Sequence, residues 1–410
     1  MTEPAIVEKP PKKIFGLHPN VFFMGVTSLL TDISSELIFT LVPLFMSNVL
    51  GASSTLIGLV GGISDSADSF FRIISGWFSD KIGKRKLLTV LGYSLSTVVK
   101  PFMLLANSWG VVAGVRFGDR VGKGVRTASR DALIADSVDA KERGRSFGLH
   151  RAMDTSGAVI GLIIAAIIVY LIPGDNFHLE KNAYHWMVII GIVPAVVAVV
   201  VLMTLVQERK KLAVAVKSGI SKPASVTPFS NQFKLYLGIM ALFTLGNSSD
   251  FFLILDAQHI KTPLVQVVIM LVLFNITYAL ISTPMGVLSD KIGRKRVISA
   301  GWLIYGLVYL GFALSSSIWQ LWVLFAVYGI YYGICEGVAR AFVADMVPVE
   351  RRGTAYGLYN GIVGLMALPA SLIAGVMWDR IAPAATFYFG AGLALLAMVG
   401  LMFLIKERKS

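Results

Sequence analysis

Several acidic and basic side chains of this chain lie inside stretches that are otherwise apolar, where an unpaired charge is costly. Asp32 and Glu36 lie one helical turn apart in the first stretch. Asp65, Asp68 and Arg72 share one helical face in the second. A carboxyl group among apolar helices can exchange a proton, whereas arginine stays charged and binds carboxylate or phosphate groups. The fourth stretch adds a charged stripe at spacings of three and four residues: Arg116, Asp119, Arg120 and Lys123.

This pattern predicts proton coupling at Asp32, Glu36, Asp65 or Asp68. It also predicts substrate binding by the fourth stretch together with Arg72. Acids and bases balance within the first, second and fourth stretches, so protonating one or two acids leaves the site positive. A positive site favours an anionic solute. The alternative is a static network of buried salt bridges that fixes helix packing.

The second half of the chain has fewer charges at the corresponding depth. Its candidate substrate contacts are Asn247, Asp250, Tyr331, Tyr332 and Glu336. The tyrosines can line a cavity or pack between helices. Glu336 and Arg340, four residues apart, form either a gate pair or an intrahelical salt bridge. We therefore expect charge coupling in the first half and amide, hydroxyl and aromatic contacts from the second.

Other charged positions favour structural explanations at least as much as functional ones. Lys100 precedes Pro101 near the outer end of the third stretch, where its side chain can reach the membrane interface. Arg126 lies toward the far end of the fourth stretch, where its side chain can extend to the surface. Arg151 and Asp154, three residues apart in the fifth stretch, fit either a structural pair or a functional one.

The composition indicates an integral membrane protein. The 410 residues are 55% hydrophobic and 15% charged, with a mean hydropathy of +0.72. The net charge of +13 lies mainly in loops between apolar stretches, which does not indicate nucleic-acid binding. Cys335 is the single cysteine, so no internal disulfide forms. The five histidines show no ligand spacing, and we expect neither a metal nor another cofactor.

The apolar stretches predict an all-α membrane protein with about twelve spans, each of roughly 20 residues. They fall at 21–46, 55–79, 87–106, 110–131, 146–172, 184–206, 233–256, 264–288, 297–315, 318–342, 354–377 and 384–405. Basic residues concentrate in the loops on one side, so both termini are expected in the cytoplasm of a cell-membrane protein. The expected regions are a tail 1–20, a bundle 21–206, a linker 207–232, a bundle 233–405 and a tail 406–410.

Two motifs recur in register about half a chain length apart. The segment Gly76–Lys86, GWFSDKIGKRK, returns as Gly286–Arg296, GVLSDKIGRKR. Ala135–Leu149 likewise matches Ala344–Leu358 at its Asp, Arg and Gly positions. The first motif fits a tight turn between two membrane helices, with its basic cluster outside the membrane. The chain therefore consists of two homologous halves.

The first motif resembles the signature loop of the major facilitator superfamily. The resemblance covers nearly the whole chain and implies two pseudo-symmetric six-helix bundles that expose a central site alternately to each side. It also implies gates at the repeated loops: Gly76, Asp80, Gly83 and Arg85; Gly286, Asp290, Gly293 and Arg294; Asp136 and Arg143; Asp345 and Arg352. In antiporters of the family, the arginine at the position of Arg116 is often followed by glycines at a different spacing. They also often carry a Gly-Pro pair near the position of Gly157, where this chain has no proline. Import is therefore not excluded.

The leading hypothesis is a monomeric, proton-coupled secondary transporter that exports a small organic solute, anionic or amphiphilic, across the lipid bilayer. Three alternatives stay open: a multidrug and proton antiporter for lipophilic cations, an importer of a solute or metal chelate, and a membrane sensor or scaffold that does not transport. Enzyme activity is not expected, because no paired nucleophile and base, metal motif or phosphate loop is apparent in the sequence.

Overall fold

The structure is a computed structural model that describes residues 14–15, 17–82, 84–138, 142–208, 229–348 and 351–405. The side chains of Trp77, residues 79–82 and Arg143 lie outside this description. Most of the expected N-terminal tail, the tail 406–410, most of the linker, and Gly83 also lie outside the described residues.

The described residues form twelve helical spans. They are α1 (Pro19–Phe39), α2 (Ser54–Ile82), α3 (Arg85–Val99), α4 (Trp109–Ser137), α5 (Arg143–Leu171), α6 (Lys181–Leu205), α7 (Asn231–Gly246), α8 (Leu264–Ile292), α9 (Arg294–Leu314), α10 (Ile318–Asp345), α11 (Arg352–Arg380) and α12 (Pro383–Leu404). Ten spans in this part of the chain are long and apolar enough to cross a membrane. The other two are α2 and α4, which carry the charged faces noted above. The expected all-α membrane fold is confirmed.

Three spans depart from the uninterrupted helices that the apolar stretches predict. After α1 the chain turns and continues as a short helix, Val42–Leu44, and a π-helical turn, Phe45–Val49. After α3 a 3-10 segment begins at Lys100, because Pro101 has no N–H for the helix. The seventh span breaks after Gly246 and resumes at Phe251–His259, with the polar residues Asn247–Asp250 in the break.

Within the first half, glycines let backbones approach closely. A Cβ on Gly122 of α4 would lie 2.6 Å from the carbonyl oxygen of Gly92 on α3. A Cβ on Gly157 of α5 would lie 2.4 Å from the carbonyl oxygen of Leu29 on α1. Gly122 therefore brings α4 against α3, and Gly157 brings α5 against α1.

The two halves pack against each other mainly along α2 with α11 and α5 with α8. Hereafter the basic side is the membrane face at residues 82–85, 137–143, 292–294 and 345–352, and the opposite side is the other face. On the opposite side, Asp379 of α11 accepts hydrogen bonds from the backbone N–H groups of Ser54 and Thr55. There too, Gln258 donates to Asn48, at 2.9 Å.

The halves separate toward the basic side. A Cβ built on Gly357 of α11 or on Gly286 of α8 would meet no described atom within 4 Å. By contrast, a Cβ on Gly375, nearer the opposite side of α11, would lie 2.5 Å from the carbonyl oxygen of Ser54. The space between the halves is therefore closed on the opposite side and open on the basic side.

Candidate functional site

A cavity of about 220 Å³ lies between the two halves. The charged residues that line it are Asp32, Glu36, Arg116, Asp119, Arg120, Lys123, Arg126 and Asp250. Its apolar wall includes Phe39, Phe251 and Phe274, and Asn275 adds an amide. The structure thus brings α1, α4 and the broken seventh span together around one polar cavity.

The two arginines at the centre of α4 have unsatisfied donors. Arg116 is 3% exposed, and its guanidinium lies between the rings of Phe39 and Phe251, at 4.9 and 5.4 Å from their centroids. The Nε atoms of Arg116 and Arg120 are buried without a hydrogen-bond acceptor among the described residues. Buried guanidinium donors of this kind suit a ligand that supplies acceptor oxygens.

The acidic groups of the cavity, in contrast, have donors from the protein. The hydroxyl of Ser96 on α3 donates to Asp119. Tyr328 and Tyr332 of α10 donate to the two oxygens of Asp250, at 2.6 and 3.4 Å. Because these carboxylates already accept hydrogen bonds, they are less available to a cationic ligand than the guanidinium groups are to an anionic one.

Glu36 is also held by the protein, because Thr40 donates to its carboxylate at 2.5 Å. The carboxyl groups of Asp32 and Asp154 lie within hydrogen-bonding reach of each other. Sequence reasoning gave Asp154 only a pairing with Arg151, because nothing in the spacing along α5 shows that its carboxyl meets α1.

The charged face of α2 lies beside the cavity rather than in its lining. Arg72 forms an ion pair with Asp68 at 2.7 Å, one turn away on the same helix. The second oxygen of Asp68 is buried without a donor among the described residues. Asp65 is partly buried near Arg120 and Arg116. In this conformation these three residues therefore affect the cavity through the electric field of their charges, without direct contact.

Two basic residues are placed differently from the expectation. Lys100 does not reach the membrane interface: it is fully buried, and its Nζ donates to Ser34 at 2.8 Å and to Ser35 at 3.1 Å. Arg126 does not extend to the surface: it is 4% exposed, and its guanidinium lies 4.4 Å from the ring centroid of Tyr93. Both predictions were wrong because the neighbouring helices supply polar or aromatic contacts in the interior.

The candidates from the second half divide between three environments. Tyr332 contacts Asp250, as described, together with Tyr328. Tyr331 packs against Tyr305, with ring centroids 4.8 Å apart. Asn247 accepts a hydrogen bond from the hydroxyl of Tyr305 at 3.3 Å, which helps to fix the break in the seventh span. The buried position of Tyr331 favours helix packing over contact with a solute.

Glu336 lies in a separate crevice of about 880 Å³ between α5 on one side and α8 and α10 on the other. It forms ion pairs with Arg151 of α5 at 3.2 Å and with Arg340 of α10 at 3.5 Å. The hydroxyl of Tyr278 on α8 also donates to Glu336, and it accepts a hydrogen bond from Arg151. Asn275 lines both this crevice and the central cavity, so the two spaces adjoin.

The repeated loop residues form equivalent contacts in the two halves. Arg85 pairs with Asp136, and Arg294 pairs with Asp345 at 2.9 Å. Arg294 also pairs with Asp290, at 3.2 Å. Gly293 has φ +99°, in the left-handed region that the turn between α8 and α9 requires.

The other gate candidates make few described contacts. Arg352 donates to the carbonyl oxygen of Ala344 at 3.2 Å. A Cβ on Gly76 would approach Ala128 of its own half at 3.8 Å. The side chains of Asp80 and Arg143, and the whole of Gly83, lie outside the described residues.

Twelve spans in two halves around a polar cavity are the architecture of a membrane transporter. The model of the Major Facilitator Superfamily matches residues 24–257 and 235–410. The chain belongs to this superfamily.

Known relatives agree with this assignment. An uncharacterised MFS-type transporter of Methanocaldococcus jannaschii is 38% identical over 397 residues, covering 95% of each chain. A point mutant of the nucleoside transporter NupG has a TM-score of 0.75 at 14% identity, covering 94% of this chain and 100% of that one. The inward-open xylose transporter XylE of Escherichia coli has a TM-score of 0.71 at 16% identity, covering 95% and 96%. These structures share the fold.

Proposed function

We propose that the protein is a proton-coupled exporter of a small organic anion that works by alternating access as a monomer. The observation that carries this proposal is the pair of buried guanidinium groups, Arg116 and Arg120, whose Nε atoms have no acceptor among the described residues. The carboxylates beside them, such as Asp119 and Asp250, accept hydrogen bonds from hydroxyl groups. The site is therefore complementary to a ligand rich in acceptors.

The size and the walls of the cavity restrict the ligand further. A volume of about 220 Å³ suits a small molecule rather than a peptide or an intact lipid. Phe39, Phe251 and Phe274 offer an apolar wall beside the guanidinium groups. A carboxylate or phosphate group attached to an apolar or aromatic body matches both parts of the site.

We infer the orientation from the charged loops and the direction of transport from the side on which the cavity opens. We assign the basic side to the cytoplasm, because basic loops are retained there. The cavity opens toward this side, so an exported solute can bind directly from the cytoplasm in this conformation. Arg85–Asp136 and Arg294–Asp345 lie at this mouth and each pair stays within one half. Closing the mouth therefore requires the halves to rock together.

Binding of shape-matched solutes tests the proposal. Benzoate and phenyl phosphate should bind to the purified protein more tightly than benzylammonium. The substitution Arg120→Gln should weaken benzoate binding by about 10- to 100-fold, the loss of one charged hydrogen bond. Arg120→Lys should retain part of the affinity, because it keeps the charge but loses the planar fork. Arg380→Gln, an exposed position at the end of α11, is the surface control.

Selective binding of benzylammonium, unaffected by Arg120→Gln, would instead favour the antiporter for lipophilic cations. Binding of all these solutes without flux in proteoliposomes would favour a sensor or scaffold. Flux of benzoate only toward the basic side would establish an importer. Export requires net movement of benzoate away from the basic side when protons are driven toward that side. It also requires that this movement stop when the proton gradient is collapsed.

A further inference from the structure

Arg151 occupies an unusual place because its guanidinium joins the two halves. One nitrogen lies 3.4 Å from Asp154 of its own helix, and another lies 3.2 Å from Glu336 of α10. Among the ion pairs formed by described residues alone, Arg151–Glu336 is the one that crosses between the halves. Tyr278 of α8 bonds to both partners and holds this contact in place.

Asp154 connects this contact to the interior of the first half. Gly157 and Gly161 bring α5 against the backbone of α1, so Asp154 lies beside Asp32, which lines the central cavity. The two carboxyl groups lie within hydrogen-bonding reach of each other, and the hydroxyl of Ser28 donates to Asp154 at 2.7 Å. Ionised carboxylates only accept hydrogen bonds, so a hydrogen bond between two carboxyl groups contains a proton.

Charged groups from the neighbouring helices surround this carboxyl pair, either directly or through one intervening charged side chain. They are Glu36 of α1, Lys100 of the third span, Lys123, Arg126, Arg130 and Asp131 of α4, His150 and Arg151 of α5 and, through Arg151, Glu336 of α10. Most of these partners are cationic, and they offset the negative charge that the pair gains when its proton leaves. Arg151 differs from the others because it is half exposed in the crevice and already shared with the second half.

We propose that Arg151 couples protonation of the Asp32–Asp154 pair to the contact between the two halves. With the proton bound, the pair carries one negative charge, and Arg151 is shared between Asp154 and Glu336. When the proton leaves to solvent, the pair carries two negative charges and attracts Arg151 away from Glu336, which weakens the contact between halves. This inference rests on the proposed function, for which it identifies the proton site and the residue that transmits its charge.

Two other candidate acids, Glu36 and Asp68, lack this arrangement. Glu36 accepts a hydrogen bond from a threonine hydroxyl, and Asp68 pairs with Arg72 on its own helix. Neither acid contacts the second half directly among the described residues. A change of charge at Asp32 and Asp154, in contrast, is two contacts away from Glu336.

Two measurements test the inference without any transported solute. Infrared spectra of the reconstituted protein in H₂O and D₂O detect protonated carboxyl groups. At neutral pH the wild type should show a component that disappears in Asp32→Asn and shifts or disappears in Asp154→Asn. Glu36→Gln is the control and should retain it. Absence of the component in the wild type, or its persistence in both Asp variants, would overturn the proton site.

The transmission step is measured as the distance between spin labels on α5 and α8 near the basic side, introduced by Gly144→Cys and Val287→Cys. The native Cys335 is buried. The distance distribution should change with pH in the otherwise unmodified protein. Arg151→Gln and Glu336→Gln should remove this response, and Arg151→Lys should restore part of it. The coupling role would be refuted if the distance still changed with pH in Arg151→Gln. It would also be refuted if the distance did not change with pH in the labelled protein that retains Arg151.

Neither measurement uses an anion, so each can fail while the anion-binding test succeeds. Conversely, a protein that binds no anion but shows both pH effects would retain the proton site and lose the proposed substrate class. Far-ultraviolet circular dichroism and size-exclusion profiles establish that each variant is folded. The infrared spectrum and the pH response of the wild type can each refute the inference without any variant. The inference therefore stays testable if a variant fails to fold.

Discussion

Removing the carboxylate of Asp379 should open the side of the transporter that is closed in this structure. Asp379 lies on α11 of the second half and accepts three hydrogen bonds at the start of α2 in the first half. The donors are the N–H groups of Ser54 and Thr55 and the hydroxyl of Thr55, at 3.1, 2.7 and 2.6 Å. A carboxylate at a helix N-terminus satisfies free N–H groups and interacts favourably with the helix dipole.

The size of the shift expected for Asp379→Ala follows from this capping role. Replacing a capping side chain by alanine costs about 0.5–2 kcal/mol, and the exposed position of Asp379 favours the lower part of the range. The proposed alternating access requires a second conformation, open to the opposite side, in which α2 and α11 separate there and these bonds are absent. Asp379→Ala should therefore shift the ratio of the two conformations by about 2- to 10-fold toward that state.

Spin labels on Asn107→Cys and Ser316→Cys, one in each half on the opposite side, measure this shift. Asp379→Ala should add or enlarge a population with a longer distance, and Asp379→Asn should do so to a smaller extent because its side chain can still accept hydrogen bonds. Glu180→Ala is a matched control, since this exposed acid on the same side makes no side-chain hydrogen bond among the described residues. An unchanged distribution in Asp379→Ala would show that the three bonds do not hold the two halves together.

Two glycine substitutions test the close contacts independently. Gly375→Ala should shift the same label distance in the same direction, because the new Cβ would lie 2.5 Å from the carbonyl oxygen of Ser54; Gly357→Ala, which meets no described atom within 4 Å, should not. Gly157→Ala should lower the free energy of unfolding in detergent by about 1–3 kcal/mol, because its Cβ would lie 2.4 Å from the carbonyl oxygen of Leu29. Gly144→Ala is the open-space control, and equal stability of the two variants would contradict tight packing of α1 on α5.

The fold was predictable because it depends on patterns that are local or repeated. Apolar stretches long enough to cross a membrane give the spans, and the two copies of the Gly76–Lys86 motif give the two halves. The break after Gly246 was missed because hydropathy averages over the polar segment Asn247–Asp250. That polar cluster following a glycine was the available signal.

The cavity was predictable in part, for a related reason. The helical period places Arg116 and Arg120 on one face, and the rise per residue places Asp32 at a similar depth. The period does not show which helix lies opposite a given face. Lys100 was therefore assigned to the membrane interface, although Ser34 and Ser35 of α1 receive it in the interior. Pairings between helices, such as Asp32 with Asp154, need the packed structure.

The two halves repeat the contacts at the basic side but not the charges at depth. Arg85–Asp136 and Arg294–Asp345 are equivalent pairs, so the loops can open and close in the same way in both halves. The charged groups of α1 and α4 are not repeated in the second half. Its main charged group at the cavity is Asp250, which accepts hydrogen bonds from two tyrosines.

A difference of this kind separates two tasks. Rocking of the halves needs a contact between them on each side that forms and breaks, and Asp379 with the start of α2 is such a contact on the opposite side. Coupling to protons needs a group in one half whose charge changes and a group in the other half that responds to it. In the proposed coupling, the carboxyl pair of Asp32 and Asp154 is the group whose charge changes. The carboxylate of Glu336 responds to it, and Arg151 is the side chain between them. Coupling through one arginine therefore fits an asymmetric cavity within a symmetric fold.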